Sequence, residues 1–325
     1  MSVLGIHHIT AIASHPQRNV DFYAGVLGLR LVKRTVNFDD PGTYHFYYGD
    51  ESGTPGSILT FFPWPGARPG RAGRGQVAVT SFAALPGSIG FWVARLVTRG
   101  VPFEGPMKRA GGELAIAFRD PDGTPLEIVA HPSAESRGGW GGAAGIPAEH
   151  ALRGFHAVTL WEERGEATER LLTDTLGFRA VSEGEATRRF AAGDGGPGTI
   201  VDVRTVGGFL LGVEGAGTVH HVAFRAASDA AELELRRRVQ ALGIEPTPVI
   251  DRQYFNSVYF REPGGVLFEI ATDPPGFTVD EPLAELGTTL KLPPQYESVR
   301  THIESSLPTI HLPGARVETT TAVVG

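Results

Sequence analysis

The chain contains no cysteine. That excludes disulfides, thiolate zinc sites, cysteine-held iron–sulfur clusters and a cysteine nucleophile. It also lacks a basic excess: 29 Lys and Arg stand against 36 Asp and Glu, a formal net charge of −7, which argues against a general nucleic-acid binder. No apolar run is long enough to span a bilayer. The first residues, Met1-Ser2-Val3-Leu4-Gly5, show neither the basic nor the apolar region of a signal peptide. A cytoplasmic protein without membrane association is therefore expected. With 41% hydrophobic and 20% charged residues among 325, the composition is that of a globular chain long enough for two domains.

What the chain does have is an internal repeat. Four segments share one plan, a strand, an amphipathic helix, then further strands ending in a Gly/Pro turn and an apolar strand. They run from Gly5 to Trp64, Gly75 to Ala130, Gly154 to about Val206, and Gly217 to Thr272. Apolar spacing predicts helices near Gln17–Leu27, Ser88–Thr98, Gly165–Leu176 and Asp229–Leu242, each stopped by a glycine. The predicted class is α+β, four βαβββ modules in two domains, with cupped mixed sheets around a metal cavity. The division by sequence is 1–135 (modules one and two), 150–280 (modules three and four) and a C-terminal helix or tail, 281–325. Residues 133–150, rich in Gly, Ala and Ser, read as a flexible connector. The Gly66–Gly75 joint, which spaces Arg68, Arg71 and Arg74 among glycines, reads as a solvated loop.

Two His-His steps, His7-His8 and His220-His221, fall at matching points of this repeat. Strand side chains alternate faces, so one histidine of each pair should enter a cavity. Aligned on their turns, the first strands offer His8, Ala78, Ala157 and His221 as inward positions. The last strands offer Thr60, Glu127, Asp202 and Glu269. Only modules one and four together supply two histidines and a carboxylate: His8, His221 and Glu269. That is the ligand set of a non-haem Fe(II) or Mn(II) site with open positions. Modules two and three should then form a degenerate cavity, with Glu127 and Asp202 as hydrogen-bonded or partly solvated acids. Glu269, between Phe268 and Ile270 in an apolar strand, is costly to ionise unless something compensates it.

Four βαβββ units are the plan of the vicinal oxygen chelate (glyoxalase/bleomycin-resistance/extradiol dioxygenase) superfamily, which the chain resembles. Within it, Gly5-Ile6-His7-His8-Ile9-Thr10, the stretches Leu31–Asp39 and Tyr44–Asp50, Val219-His220-His221-Val222-Ala223-Phe224 and Arg252–Tyr259 resemble the ring-cleaving dioxygenases that open hydroquinones. The resemblance runs from Gly5 to about Pro308 and puts that family's metal ligands on His8, His221 and Glu269. It implies catalytic roles for His220, Tyr259 and Arg252, with His7 and Thr10 beside the ligands. It also implies a homodimer or homotetramer.

The resulting expectation is a non-haem, extradiol-type dioxygenase. It would use Fe(II), or Mn(II), with O2 as co-substrate and a small aromatic substrate such as hydroquinone or a substituted hydroquinone. His220 is the candidate general acid–base, because histidine charge is tunable near neutral pH. On an ideal strand it would point away from His221, so it reaches the site only through a bulge, a twist or the edge of the cavity. Tyr259 would hydrogen-bond a substrate oxygen and Arg252 would stabilise an oxyanion. Two rivals remain: a glyoxalase-like lyase or isomerase, and a metal-free aromatic-binding module of the bleomycin-resistance kind. Thr60 at the fourth inward position speaks against the first, and the triad speaks against the second.

Overall fold

The structure is a computed structural model that describes residues 1–109, 112–184 and 186–313. Residues 314–325, read from sequence as a subunit-contacting arm or tail, lie outside the described residues.

Each repeat folds as expected. Module one comprises β1 (Ile6–Ala13), α1 (Pro16–Val20), β2 (Arg30–Val36), β3 (Tyr44–Gly49) and β4 (Ile58–Pro63). Module two comprises β5 (Gln76–Ala84), α2 (Ile89–Thr98), β6 (Phe103–Lys108), β7 (Leu114–Arg119) and β8 (Pro125–Ala130). Module three comprises β9 (Phe155–Glu162), α3 (Glu166–Arg170), β10 (Arg179–Glu183), β11 (Thr187–Ala191) and β12 (Ile200–Thr205). Module four comprises β13 (Thr218–Ala226), α4 (Asp229–Ala241), β14 (Ile250–Asp251), β15 (Phe255–Arg261) and β16 (Leu267–Pro275). The predicted helices Gln17–Leu27 and Gly165–Leu176 continue past α1 and α3 as wider π-helical turns, Asp21–Val26 and Leu171–Thr175. Helix α4 begins where the Ser228 hydroxyl accepts the Ala231 N–H, which satisfies a donor the helix cannot.

A single module leaves its first strand as an unpaired edge, and edges seek partners. Here β1 pairs antiparallel with β13, and β5 with β9. The result is two eight-stranded sheets, ordered β14-β15-β16-β13-β1-β4-β3-β2 and β10-β11-β12-β9-β5-β8-β7-β6. One cup joins modules one and four; the other joins two and three. The sequence halves 1–135 and 150–280 are therefore halves of the repeat, and each cup takes one module from each half. Because the chain changes cups twice, its two connectors meet. Residues 68–74 lie along 210–216, with Arg71 N–H donating to the Val213 carbonyl and Gly212 N–H to that of Arg74. A Cβ on Gly73 would collide with the backbone of Leu210 and Gly212, so this close crossing requires glycine.

The Gly66–Gly75 joint is solvated as expected, with Arg68 and Arg71 exposed, but Arg71 and Arg74 are not without partners. They donate to the carbonyls of Leu211 and Phe209 across the crossing. Nor is 133–150 a loose connector. Arg137 is drawn inward and donates to the carbonyls of Gly56, Phe155 and Pro197, at 2.8, 3.2 and 3.0 Å, tying the connector to both cups. Beyond β16, the chain returns to module one: Lys291 N–H bonds the Arg34 carbonyl, and Tyr296 Oη donates to that of Phe38. Within it a short helix, α5, spans Arg300–Ser306. Among the described residues no helix is long and apolar enough to cross a membrane.

Candidate metal centre and its cavity

His8 on β1, His221 on β13 and Glu269 on β16 converge inside the first cup, all three buried. Glu269 Oε2 lies 3.1 Å from His8 Nε2 and 3.0 Å from His221 Nε2, and the two nitrogens are 3.3 Å apart. The two histidines are 213 residues apart in the chain, so the β1–β13 pairing makes the site.

The strand register explains why histidines come in pairs. Ile6 faces Phe224 and His8 faces Ala223, so His7 is an extra residue, a bulge in β1. Thr10 faces His221 and Ala11 faces Val219, so His220 is a bulge in β13. A bulge re-aims a side chain that strict alternation would send away. His220 accordingly lines the cavity with His221, the condition its expected role required. His7 stays buried behind His8, with its Nδ1 2.9 Å from His8 Nδ1.

Donor accounting then sets the tautomers. The Thr272 carbonyl, 3.1 Å from His7 Nε2, can only accept, so His7 carries its proton there. Burial, and next the proximity of His8, holds His7 well below the ordinary histidine pKa, so it is neutral and its Nδ1 is an acceptor. His8 must therefore donate from Nδ1, which leaves a bare lone pair on Nε2 aimed at Glu269. His221 is braced in the same way, Nδ1 to Nδ1, by His220 at 2.7 Å. Burial lowers His221 as well. Ser257 Oγ donates to Glu269 Oε1, while Oε2 is fully buried and has no hydrogen-bond partner among the described residues. Lone pairs facing one another across 3 Å with an orphaned carboxylate oxygen among them are what a divalent cation would satisfy. The residues fit such an ion.

Beside the triad is a cavity of about 330 Å³, walled by Phe62, Trp64, Phe255 and Leu267. Its volume suits a monocyclic aromatic. Tyr259 stands edge-on to the His221 ring at 5.6 Å, and Arg252 Nε approaches Tyr259 Oη at 3.4 Å. Burial, then Glu269, raises the Tyr259 pKa, so it holds its proton. Burial and the adjacent His221 push His220 down to about 4, so it is neutral at physiological pH. Thr10 also lines the cavity. Two residues with no assigned role in the sequence reading join it. His45 and Tyr47 alternate on β3, with His45 Nε2 at 2.9 Å from Thr60 Oγ1 and Nδ1 at 3.0 Å from Tyr47 Oη. Their signal was available: a His and a Tyr two apart on one strand share a face.

The second cup is built on the same register without the site. Its inward position on β5 is Val79 rather than Ala78. The Val77–Leu160 and Val79–Thr159 pairs leave Ala78 as the bulge, equivalent to His220. The one-residue correction arises because a bulge cannot be read from alternation. His156 is the bulge equivalent to His7. Guanidinium groups stand where a cation would be needed. Arg109 pairs with Glu127, and Arg189 binds both oxygens of Asp202 at 2.8 and 2.9 Å.

The family described as the Glyoxalase/Bleomycin resistance protein/Dioxygenase superfamily matches residues 5–128 and 154–270. A Bacillus subtilis protein named "Putative ring-cleaving dioxygenase MhqO" is 50% identical over 305 residues, 94% of this chain and 96% of its own. A "Chlorohydroquinone/hydroquinone 1,2-dioxygenase" of Sphingobium indicum is 35% identical over 309 residues, covering 92% of this chain and 94% of its own. A crystal structure of a "putative dioxygenase" from Bacillus subtilis superposes with a TM-score of 0.89 at 46% identity, over 96% of this chain and 98% of that one. With both halves of the repeat matched and these relatives aligned along nearly their whole length, the chain belongs to the Glyoxalase/Bleomycin resistance protein/Dioxygenase superfamily.

Proposed function

We propose that the protein is a metal-dependent ring-cleaving dioxygenase of the extradiol type, inserting both atoms of O2 into a hydroquinone-type aromatic ring. The observation that carries this is the buried, partnerless Glu269 Oε2 between two histidine nitrogens that face it with lone pairs. His8, His221 and Glu269 would hold the ion. Fe(II), or Mn(II), would supply open positions at which a phenolic oxygen and O2 meet, and would lower the phenol pKa.

The rest falls to the chain's own side chains. Phe62, Phe255 and Leu267 pack the ring and exclude water. Neutral His220, whose Nδ1 accepts from His221, keeps its proton on Nε2 and can donate it to an anionic oxygen in the cavity. Tyr259, which keeps its proton, donates to a substrate oxygen, and Arg252 beside it stabilises negative charge as the ring opens to an acid. A glyoxalase-like lyase is less well supported. Thr60, where a fourth ligand would stand, already bonds Thr10 at 2.8 Å and His45 at 2.9 Å.

The test is oxygen uptake by metal-free protein reconstituted anaerobically with Fe(II) or Mn(II), against hydroquinone, methylhydroquinone, chlorohydroquinone and catechol. Uptake that needs metal, substrate and Glu269 is expected. Tight metal binding with no uptake from any pair would overturn the dioxygenase reading in favour of the lyase.

A further inference from the structure

Four side chains along one wall of the cavity form a single line of hydrogen bonds. Tyr47 Oη meets His45 Nδ1 at 3.0 Å, His45 Nε2 meets Thr60 Oγ1 at 2.9 Å, and Thr60 Oγ1 donates to Thr10 Oγ1 at 2.8 Å. Thr10 stands two residues along β1 from His8 and faces His221 across the sheet.

The line has a direction, and the Thr60–Thr10 bond sets it. Tyr47 is 2% exposed, with its ring against Phe277 and Tyr254, and among the described residues its hydroxyl has no partner but His45. Thr60 gives its one hydroxyl proton to Thr10, so it accepts from His45 Nε2, and Tyr47 supplies the proton at His45 Nδ1. A neutral imidazole that accepts at Nδ1 must carry its proton on Nε2. His45 then donates to Thr60, and Thr60 to Thr10. The Thr10 hydroxyl proton is left over, with no acceptor among the described residues and the cavity in front of it. Burial, which lowers His45 and raises Tyr47, keeps both neutral and the line intact.

We propose that His45 is a positioning residue: through Thr60 it aims the Thr10 hydroxyl proton into the cavity, to hydrogen-bond the anionic oxygen of a bound phenolate. Reversed, the line would present only lone pairs of Thr10 to that oxygen and would repel it. The proposal rests on the dioxygenase reading for its substrate but not for its direction. Thr60, standing where a fourth ligand would, thereby passes the orientation of one proton to the next.

Two measurements test this separately. In metal-free protein with ring-¹⁵N histidine, long-range ¹H–¹⁵N correlation at pH 8 should show His45 as the neutral Nε2–H tautomer, its signals assigned by their loss in His45→Gln. An Nδ1–H tautomer would overturn the direction, whether or not the protein consumes oxygen. In the Fe(II)-loaded protein, His45→Phe and Thr10→Val should each lower kcat/KM for hydroquinone by about ten- to hundredfold, the worth of a hydrogen bond to a charged group. Metal content should stay unchanged. The double variant should lose no more than either single one, because both break one line. His45→Gln, whose amide can still donate to Thr60, should recover to within about threefold, as a single neutral hydrogen bond is retained. Losses that multiply in the double variant, or full activity in His45→Phe, would refute the positioning role. A wild-type protein with no oxygen uptake would refute the dioxygenase reading, and the tautomer would still decide the line.

Discussion

Replacing Glu269 by Gln should make the metal-free protein more stable while abolishing its response to metal. In the wild-type site, Oε2 is buried, lacks a hydrogen-bond partner and faces two Nε2 lone pairs at 3.0 and 3.1 Å. An amide NH2 in that place has two donors, one for each histidine, while its oxygen still accepts from Ser257. Two contacts between acceptors become two hydrogen bonds, each worth about 1 kcal/mol net. For 325 residues the unfolding entropy is about 0.7 kcal/mol/K, so each kcal/mol moves Tm by ~1.5 °C. The variant should melt about 3 °C above the wild type in EDTA at pH 8. Mn(II) at a hundred times its Kd should raise the wild type by about 2.7 kcal/mol, ~4 °C, and leave the variant unmoved. Differential scanning calorimetry of the two proteins, with EDTA and with Mn(II), reads both effects. A Glu269→Gln protein that melts below the wild type in EDTA, or that keeps the Mn(II) shift, would refute the cation-site reasoning.

His220→Ala should keep its metal, measured by elemental analysis, and lose about 10²- to 10³-fold in turnover, as expected of a removed oxyanion donor; loss of metal instead would make His220 a ligand. His7→Leu removes the acceptor that holds the His8 tautomer and should weaken Mn(II) affinity by about 10- to 100-fold in a calorimetric titration. Lys33 is fully buried between Asp280 and Glu281, and Asp280 also holds Gln253 and Tyr254, next to Arg252. Lys33→Met should therefore cost about 3 kcal/mol or more in urea unfolding. It should also raise KM for hydroquinone; an unchanged KM would separate this cluster from Arg252. Glu162 is buried with neither oxygen bonded among the described residues, and burial, then Glu262, pushes it up to about 8. A raised acid stabilises fully below its unfolded pKa, so this contribution is lost as pH rises from about 4.5 to about 8. Glu162→Gln should flatten stability across that window, and an unchanged pH profile would count against a protonated Glu162.

The sequence by itself determined the modules, because apolar periodicity and glycine stops are local properties. It also pointed to the candidate ligand triad, since His8, His221 and Glu269 are the ligand types that recur at matching points of the repeat. The pairing of modules one and four could be argued from those ligand types alone, and the β1–β13 ladder follows that pairing. What only the tertiary structure decided is everything that depends on register between distant strands. The bulges at His7 and His220 exist because β1 and β13 lie against each other, and no alternation within either strand announces them. The same blindness to bulges misplaced the inward position of β5 by one residue, to Ala78 instead of Val79. Arg137, Arg71 and Arg74 sit in glycine-rich stretches, which carry no periodicity to read. Their partners are backbone carbonyls from elsewhere in the chain, which have no signature in sequence. His45 could be seen, but its role could not. A histidine takes direction from what it bonds, and Tyr47 and Thr60 become its partners only when β3 folds against β4.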